Sequence, residues 1–260
     1  MPALAEIAIC TTAFATAILT FFSGFGLGTI LAPAMLLFFP VEMAITMTGI
    51  VHLVNNLFKF FLVGRHANWA IVRQFGIPAL TASFFGAWLL LFLDRIPIIG
   101  SYEWWGKTRE ISMIKLSVAA LLIGFSLMEV IPKLKNLQFD KFHISLGGLL
   151  SGFFGGLSGH QGALRSAFLI RSGMSKESFI ATGVVIAVLV DLTRLSVYIG
   201  GSKLAEVRDQ TWLIMAACLS AIVGATLGNF LIKKVTLTFL QYFVSVSVFL
   251  IAIALAFGLI

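Results

Sequence analysis

Apolar residues fall in runs at about 4–39, 43–63, 70–93, 112–131, 143–171, 178–200, 211–232 and 236–258, separated by short polar gaps. Each run is long enough for a helix that crosses a bilayer, which takes about 20 residues for roughly 30 Å of hydrocarbon. None alternates polar and apolar positions with a period of two, which argues against an outer-membrane barrel. The first and fifth runs are too long for one crossing, since some 30 residues extend about 45 Å as a continuous helix. Each contains a knot of glycines, Ser23-Gly-Phe-Gly-Leu-Gly-Thr-Ile-Leu-Ala-Pro33 and Ser151-Gly-Phe-Phe-Gly-Gly-Leu-Ser-Gly-His-Gln-Gly162. Such a knot predicts a helix that breaks inside the membrane. The second arms, at about 29–39 and 162–171, are then only some 15 to 18 Å long and reach the middle of the bilayer.

The two halves share an order of features at a shift of about 135 residues. After each knot come Thr48-Gly49 or Thr182-Gly183, then Asn56 with Lys59 or Asp191 with Arg194, then Val72-Arg73 or Val207-Arg208, then Gly86-Ala87 or Gly224-Ala225. A duplication explains that order. The expected organisation is a first membrane repeat over 1–131, a basic cytoplasmic linker over 132–141 and a second membrane repeat over 142–260.

Composition fits this picture: 59% of residues are hydrophobic and 11% charged, with a mean hydropathy of +1.03, against about 25% charged in soluble domains. The net charge of +7 reads as retention of Lys and Arg in cytoplasmic loops rather than as a nucleic-acid surface. If each long run is a hairpin, one face receives Arg65, Arg73, Lys133, Lys135, Lys141, Arg171, Lys176, Lys233 and Lys234 against Asp140 and Glu177. The other receives Arg95, Lys107, Arg109, Lys115, Lys203 and Arg208, nearly balanced by Asp94, Glu103, Glu110, Glu206 and Asp209. That asymmetry puts the first face in the cytoplasm. A hairpin plus three crossings ends opposite its start, so the repeats are expected to be inverted, with a site at their interface near the midplane. The fold class is thus all-α, integral to the membrane, with two inverted repeats, each a broken or re-entrant hairpin followed by three crossings.

Glu6, with no Lys or Arg before the first run, argues against a secretory signal peptide. Cys10 and Cys218 lie singly in apolar runs and read as free thiols. Tyr102, Trp104 and Trp105 in the stretch from Asp94 to Glu110 read as an interfacial aromatic belt or a lid. No nucleotide motif follows Gly24-x-Gly-x-Gly28, and no metal spacing is present, so neither an enzyme nor a cofactor is expected.

The candidate chemistry sits beside the knots. Gly26, Gly28 and Thr29 in the first half, and Gly159 and Gly162 in the second, free backbone N–H groups at helix starts that suit an anion; close helix packing through Gly152 and Gly156 is the other reading. His160, Gln161 and Arg165 are polar side chains inside a membrane segment and are read as functional by default. Arg165 asks for a bound anion or an acidic partner such as Asp191. His160 either donates to an oxyanion, carries a proton or bonds a neighbouring carbonyl. Asp191 and Arg194, three apart on one helix face, either pair with each other or serve the site, with Arg194 on the substrate and Asp191 in coupling. Asn55 and Asn56 are the counterparts in the first half. Lys59 reads as snorkelling to a helix end, and His52 is left without a role.

The knot at 23–33 and the helix start Pro40-Val-Glu-Met-Ala44 resemble the sulfite exporter TauE/SafE family of bacterial permeases, over nearly the whole chain. In the second half, His160-Gln161-Gly162-Ala163 departs from the family's proline-ended pattern. The resemblance implies a secondary transporter in the cytoplasmic membrane that exports a small sulfur-containing anion such as sulfite, sulfoacetate or another organosulfonate. A passive anion channel and an uptake permease for another organic anion stand as the alternatives. Expected partners are the anion, membrane lipid, protons as coupling ion and a second copy of the chain.

Overall fold

The computed structural model describes residues 3–23, 27–135, 138–139, 143–201, 203–231 and 237–260. The first long run divides into α1 (Ala3–Ser23) and α2 (Leu27–Leu36), as expected from the knot. Gly24 and Gly26 lie outside the described residues. Pro40, in extended conformation, then starts α3 (Val41–Val63), which a 3-10 turn at Gly64–His66 joins to α4 (Trp69–Asp94). Asn68 caps α4, its side chain accepting from the N–H groups of Ala70 and Ile71 at 3.1 and 3.2 Å, which satisfies two of the free donors at the helix start.

The second half repeats the series. After α5 (Met113–Val130) and the short α6 (Pro132–Lys135), the fifth run forms α7 (Ile144–Ser158) and α8 (Gly162–Leu169). Gly159, at φ +82°, ends α7 in the left-handed region that glycine enters without a Cβ clash. There follow α9 (Lys176–Tyr198), capped by Ser175, then α10 (Leu204–Asp209), α11 (Thr211–Leu231) and α12 (Leu237–Ala256). In the expected linker, 136, 137, 140 and 141 lie outside the described residues, as do Lys233 and Lys234 of the charge pattern. Among the described residues, five helices are long and apolar enough to cross a membrane, and α2, α7 and most of α5 and α12 form shorter apolar helices.

The stretch read from sequence as a loop is a β-hairpin. Strands β1 (Gly100–Trp104) and β2 (Lys107–Ile111) pair antiparallel, Trp104 opposite Lys107. Trp105 and Gly106, at φ +54° and +68°, make the two-residue turn whose twist suits a hairpin. Tyr102 Oη donates to Phe257 O at 2.6 Å and Arg109 Nη1 to Leu259 O at 2.9 Å, so the hairpin grips the end of the chain.

Packing partners exchange when the halves are swapped. Helix α4 lies along α7 as α11 lies along α1; α4 also meets α9 as α11 meets α3; and α3 meets α9, and α5 meets α12, across the halves. The α4–α7 seam is glycine-lined. A Cβ on Gly148, Gly152 or Gly156 would stand 2.2, 2.2 and 2.1 Å from the carbonyl oxygens of Phe75, Ala79 and Ser83, so this spacing of four brings two backbones into contact.

Candidate functional site

The two breaks meet. A Cβ on Gly28, at the start of α2, would lie 3.1 Å from Gly159 O at the end of α7. Pro33 has no N–H to give the carbonyl of Thr29 four residues earlier, and that carbonyl interacts with the ring of His160. His160 Nδ1 also donates to Ser158 O at 3.0 Å, and the ring stacks on Phe125. His160 thus bonds one neighbouring carbonyl through Nδ1, while its Nε2 is buried with no hydrogen-bond partner among the described residues.

Beside this contact, Asp191 gathers polar groups from α3, from α9 and from Gln161 at the start of α8. Arg194 reaches Asp191 Oδ1 through Nε at 2.9 Å and Nη2 at 2.8 Å. Gln161 Nε2 donates to the same oxygen at 3.4 Å. The other oxygen, Oδ2, accepts from His52 Nδ1 at 2.6 Å and from Asn56 Nδ2 at 3.5 Å. Asp191 and Arg194 are fully buried, so the pair three residues apart on α9 is an internal one. Gly49 leaves room for it: a Cβ there would stand 3.5 Å from the Arg194 guanidinium. Further along α9, Tyr198 Oη donates to Gly156 O.

A cavity of about 40 Å³ opens on the far side of His52. Since about 10–15 Å³ of such space holds one water, it takes about three waters or one small oxyanion. Its walls come from both halves: Thr20 of α1, Leu27 of α2, His52, Asn55, Asn56 and Lys59 of α3, Arg165, Ser166 and Leu169 of α8, and Phe179, Ile180, Gly183 and Val184 of α9. Arg165 and Lys59 are both at least nine-tenths buried, and among the described residues no carboxylate lines the cavity. Arg165 Nη1 donates to Gln161 Oε1 at 3.5 Å, so the cavity connects through Gln161 to Asp191. Gly183 makes space for the guanidinium, with Arg165 Nε 3.4 Å from the position of a Cβ. Among the described residues, Asn55 Oδ1 and Thr20 Oγ1 are buried at the cavity without a hydrogen-bond partner.

The residues expected from sequence therefore divide. Asn55, Asn56 and Arg165 line the cavity. Gln161, Asp191 and Arg194 form the buried network behind it, and Gly28, Thr29, Gly159 and His160 make the contact between the breaks. Gly162 opens α8 and is buried. His52 and Lys59 line the cavity although neither was assigned a role. The sequence held a signal for them: His52, Asn55, Asn56 and Lys59 recur at i, i+3, i+4 and i+7, one polar stripe on an otherwise apolar helix.

Among the described residues, no group of three or more His, Cys, Asp or Glu side chains is arranged to hold a metal. A search of curated proteins and a search of solved structures each return no match. The family model for the sulfite exporter TauE/SafE matches residues 9–255. With a broken helix in each half and a polar cavity between them, the chain belongs to the sulfite exporter TauE/SafE family of membrane transporters.

Proposed function

We propose that the chain is a secondary transporter of a small sulfur-containing anion, such as sulfite or an organosulfonate, working as an exporter in the cytoplasmic membrane. The observation that carries this reading is the cavity that buries the Arg165 guanidinium and, among the described residues, is lined by no carboxylate. A buried guanidinium suits an anion, which offers it charge-assisted hydrogen bonds. Asn55 and Asn56 offer hydrogen bonds to its oxygens. Leu27, Leu169, Phe179 and Val184 leave an apolar wall suited to a short organic group.

A one-sided cavity supports a carrier over a passive channel. Its lining draws on residues 52–59 of α3 and 179–184 of α9, which adjoin the loops with the excess of Arg and Lys. The opposite ends of the same helices are held by two bonds, the buried one of Tyr198 to Gly156 O and the part-buried one of Lys203 N–H to Glu42 Oε1 at 3.2 Å. The exchange of packing partners between the halves supports inverted repeats, and alternating access then follows from one repeat moving against the other.

A thermal-shift screen of purified protein against sulfite, thiosulfate, sulfoacetate, taurine and acetate, followed by flux in proteoliposomes, tests this function. Arg165→Ala and Lys59→Ala should each weaken anion binding by about 10- to 100-fold, the loss of one charge-assisted hydrogen bond. Unchanged affinity in both folded variants would remove the cavity as the anion site.

A further inference from the structure

We propose that His52, held by Asp191, is a proton-binding site on the cavity wall, so that an anion and a proton occupy the protein together. This rests on the anion reading of the cavity. The His52–Asp191 bond joins α3 of the first half to α9 of the second, at 2.6 Å, where a movement between the halves would make or break it.

The bond also fixes the chemistry of the ring. With the Nδ1 proton donated to a carboxylate, Nε2 carries the basic lone pair; Asn56 Nδ2 lies 3.3 Å from it. His52 lines the cavity, so water there delivers a proton to Nε2. An O–H bond of hydronium breaks as the N–H forms at Nε2, the Asn56 amide turns its oxygen in place of its nitrogen towards that N–H, and the imidazolium keeps its Nδ1–H on Asp191. Charge balance alone does not explain the contact, because Arg194 already pairs with Asp191. His160 lacks these features: its Nδ1 is bound to Ser158 O and it does not line the cavity.

The surrounding charges make the proton conditional on the anion. The charged groups interacting with His52 are Asp191 and Arg194 on α9 and Arg165 on α8; Lys59 lies two turns along α3 on the same cavity. Helices α2 and α11 carry no Asp, Glu, Lys, Arg or His. Arg65 and His66 of the 3-10 turn follow the end of α3, Glu42 lies in its first turn, Arg73, Asp94 and Lys115 lie towards the ends of α4 and α5, and Glu206 pairs with Lys203. Beside His52, the two guanidinium groups of Arg194 and Arg165 outnumber the one carboxylate of Asp191, which works against a further positive charge. An anion removes that opposition and so favours the imidazolium. By linkage, the proton in turn raises anion affinity by about 5- to 150-fold.

The test is calorimetry of sulfoacetate, which does not itself titrate near neutral pH, binding to detergent-purified full-length protein in buffers of different ionisation enthalpy. The wild type should take up about one proton per anion at a pH above the site's own titration, and His52→Gln, which keeps a hydrogen-bonding group but cannot take a proton there, should bind the anion with no uptake. Binding by the wild type without uptake, or uptake that persists in folded His52→Gln, overturns the proton site alone. Absence of wild-type binding to every anion of the screen overturns the anion reading and this proposal with it. Should His52→Gln not fold, the anion-induced infrared difference spectrum of the unmutated protein decides: imidazolium bands replacing imidazole bands support the site, and their absence overturns it.

Discussion

The charges at Asp191 and Arg194 are buried completely, where an ion pair is tolerated only while both partners and their hydrogen bonds are present. Arg194→Met should lower stability by about 3–5 kcal/mol, because it strands the carboxylate, and Asp191→Asn should do the same by stranding the guanidinium. The double variant Asp191→Asn with Arg194→Met should cost less than either single change, since Asn still bonds His52 and Gln161 and no lone charge remains. Thermal unfolding of the four proteins in detergent measures this; additive losses would show that the two side chains do not act as a pair. Sequence spacing already allowed the pair, since residues three apart share a helix face. It did not allow the choice of His52 as Asp191's other partner. That bond joins residues 139 apart in the chain and depends on how α3 and α9 pack. Lys59 was misread for a related reason: a Lys near a helix end usually snorkels to water, but here the second half covers it.

At the level of elements, the apolar runs and the two breaks were legible because membrane thickness fixes helix length and glycine marks interruption. Glycine identity alone did not separate breaking from packing. Gly159 ends a helix, whereas Gly148, Gly152 and Gly156 admit the backbone of α4. Gly152→Ala should therefore destabilise the protein by about 1–3 kcal/mol, because the added carbon meets a backbone oxygen that has no rotamer to escape into. Gly124→Ala, in α5 with nothing within 4 Å of the new carbon, should be neutral or stabilising by at most about 1 kcal/mol. Equal losses of melting temperature in the two variants would refute the seam as the cause. The β-hairpin escaped the sequence for a different reason. Strands this short gain little alone, and Tyr102 and Arg109 hold theirs to carbonyls 155 and 150 residues away.

Across the whole molecule, near-symmetry in packing contrasts with asymmetry in charge. Asn56 and Lys59 of α3 stand at the sequence positions matching Asp191 and Arg194 of α9, yet the second-half pair lies in the buried network while Lys59 lines the cavity with Arg165. Under the proposed alternating access, a swap of packing between the halves would carry this site from one side of the membrane towards the other. Access to that site should be one-sided at any moment. With Cys10 and Cys218 replaced by Ala, Ile180→Cys at the cavity should react with a membrane-impermeant thiol reagent from the face bearing Arg65 and Lys176, and a bound anion should slow the reaction. Tyr198→Cys, on the far side of the Asp191–Arg194 pair, should resist the reagent from that face. In oriented vesicles, reaction of residue 180 from both faces at similar rates would mean a continuous pore, and the bonds at Tyr198 and Glu42 would then not act as a closed gate.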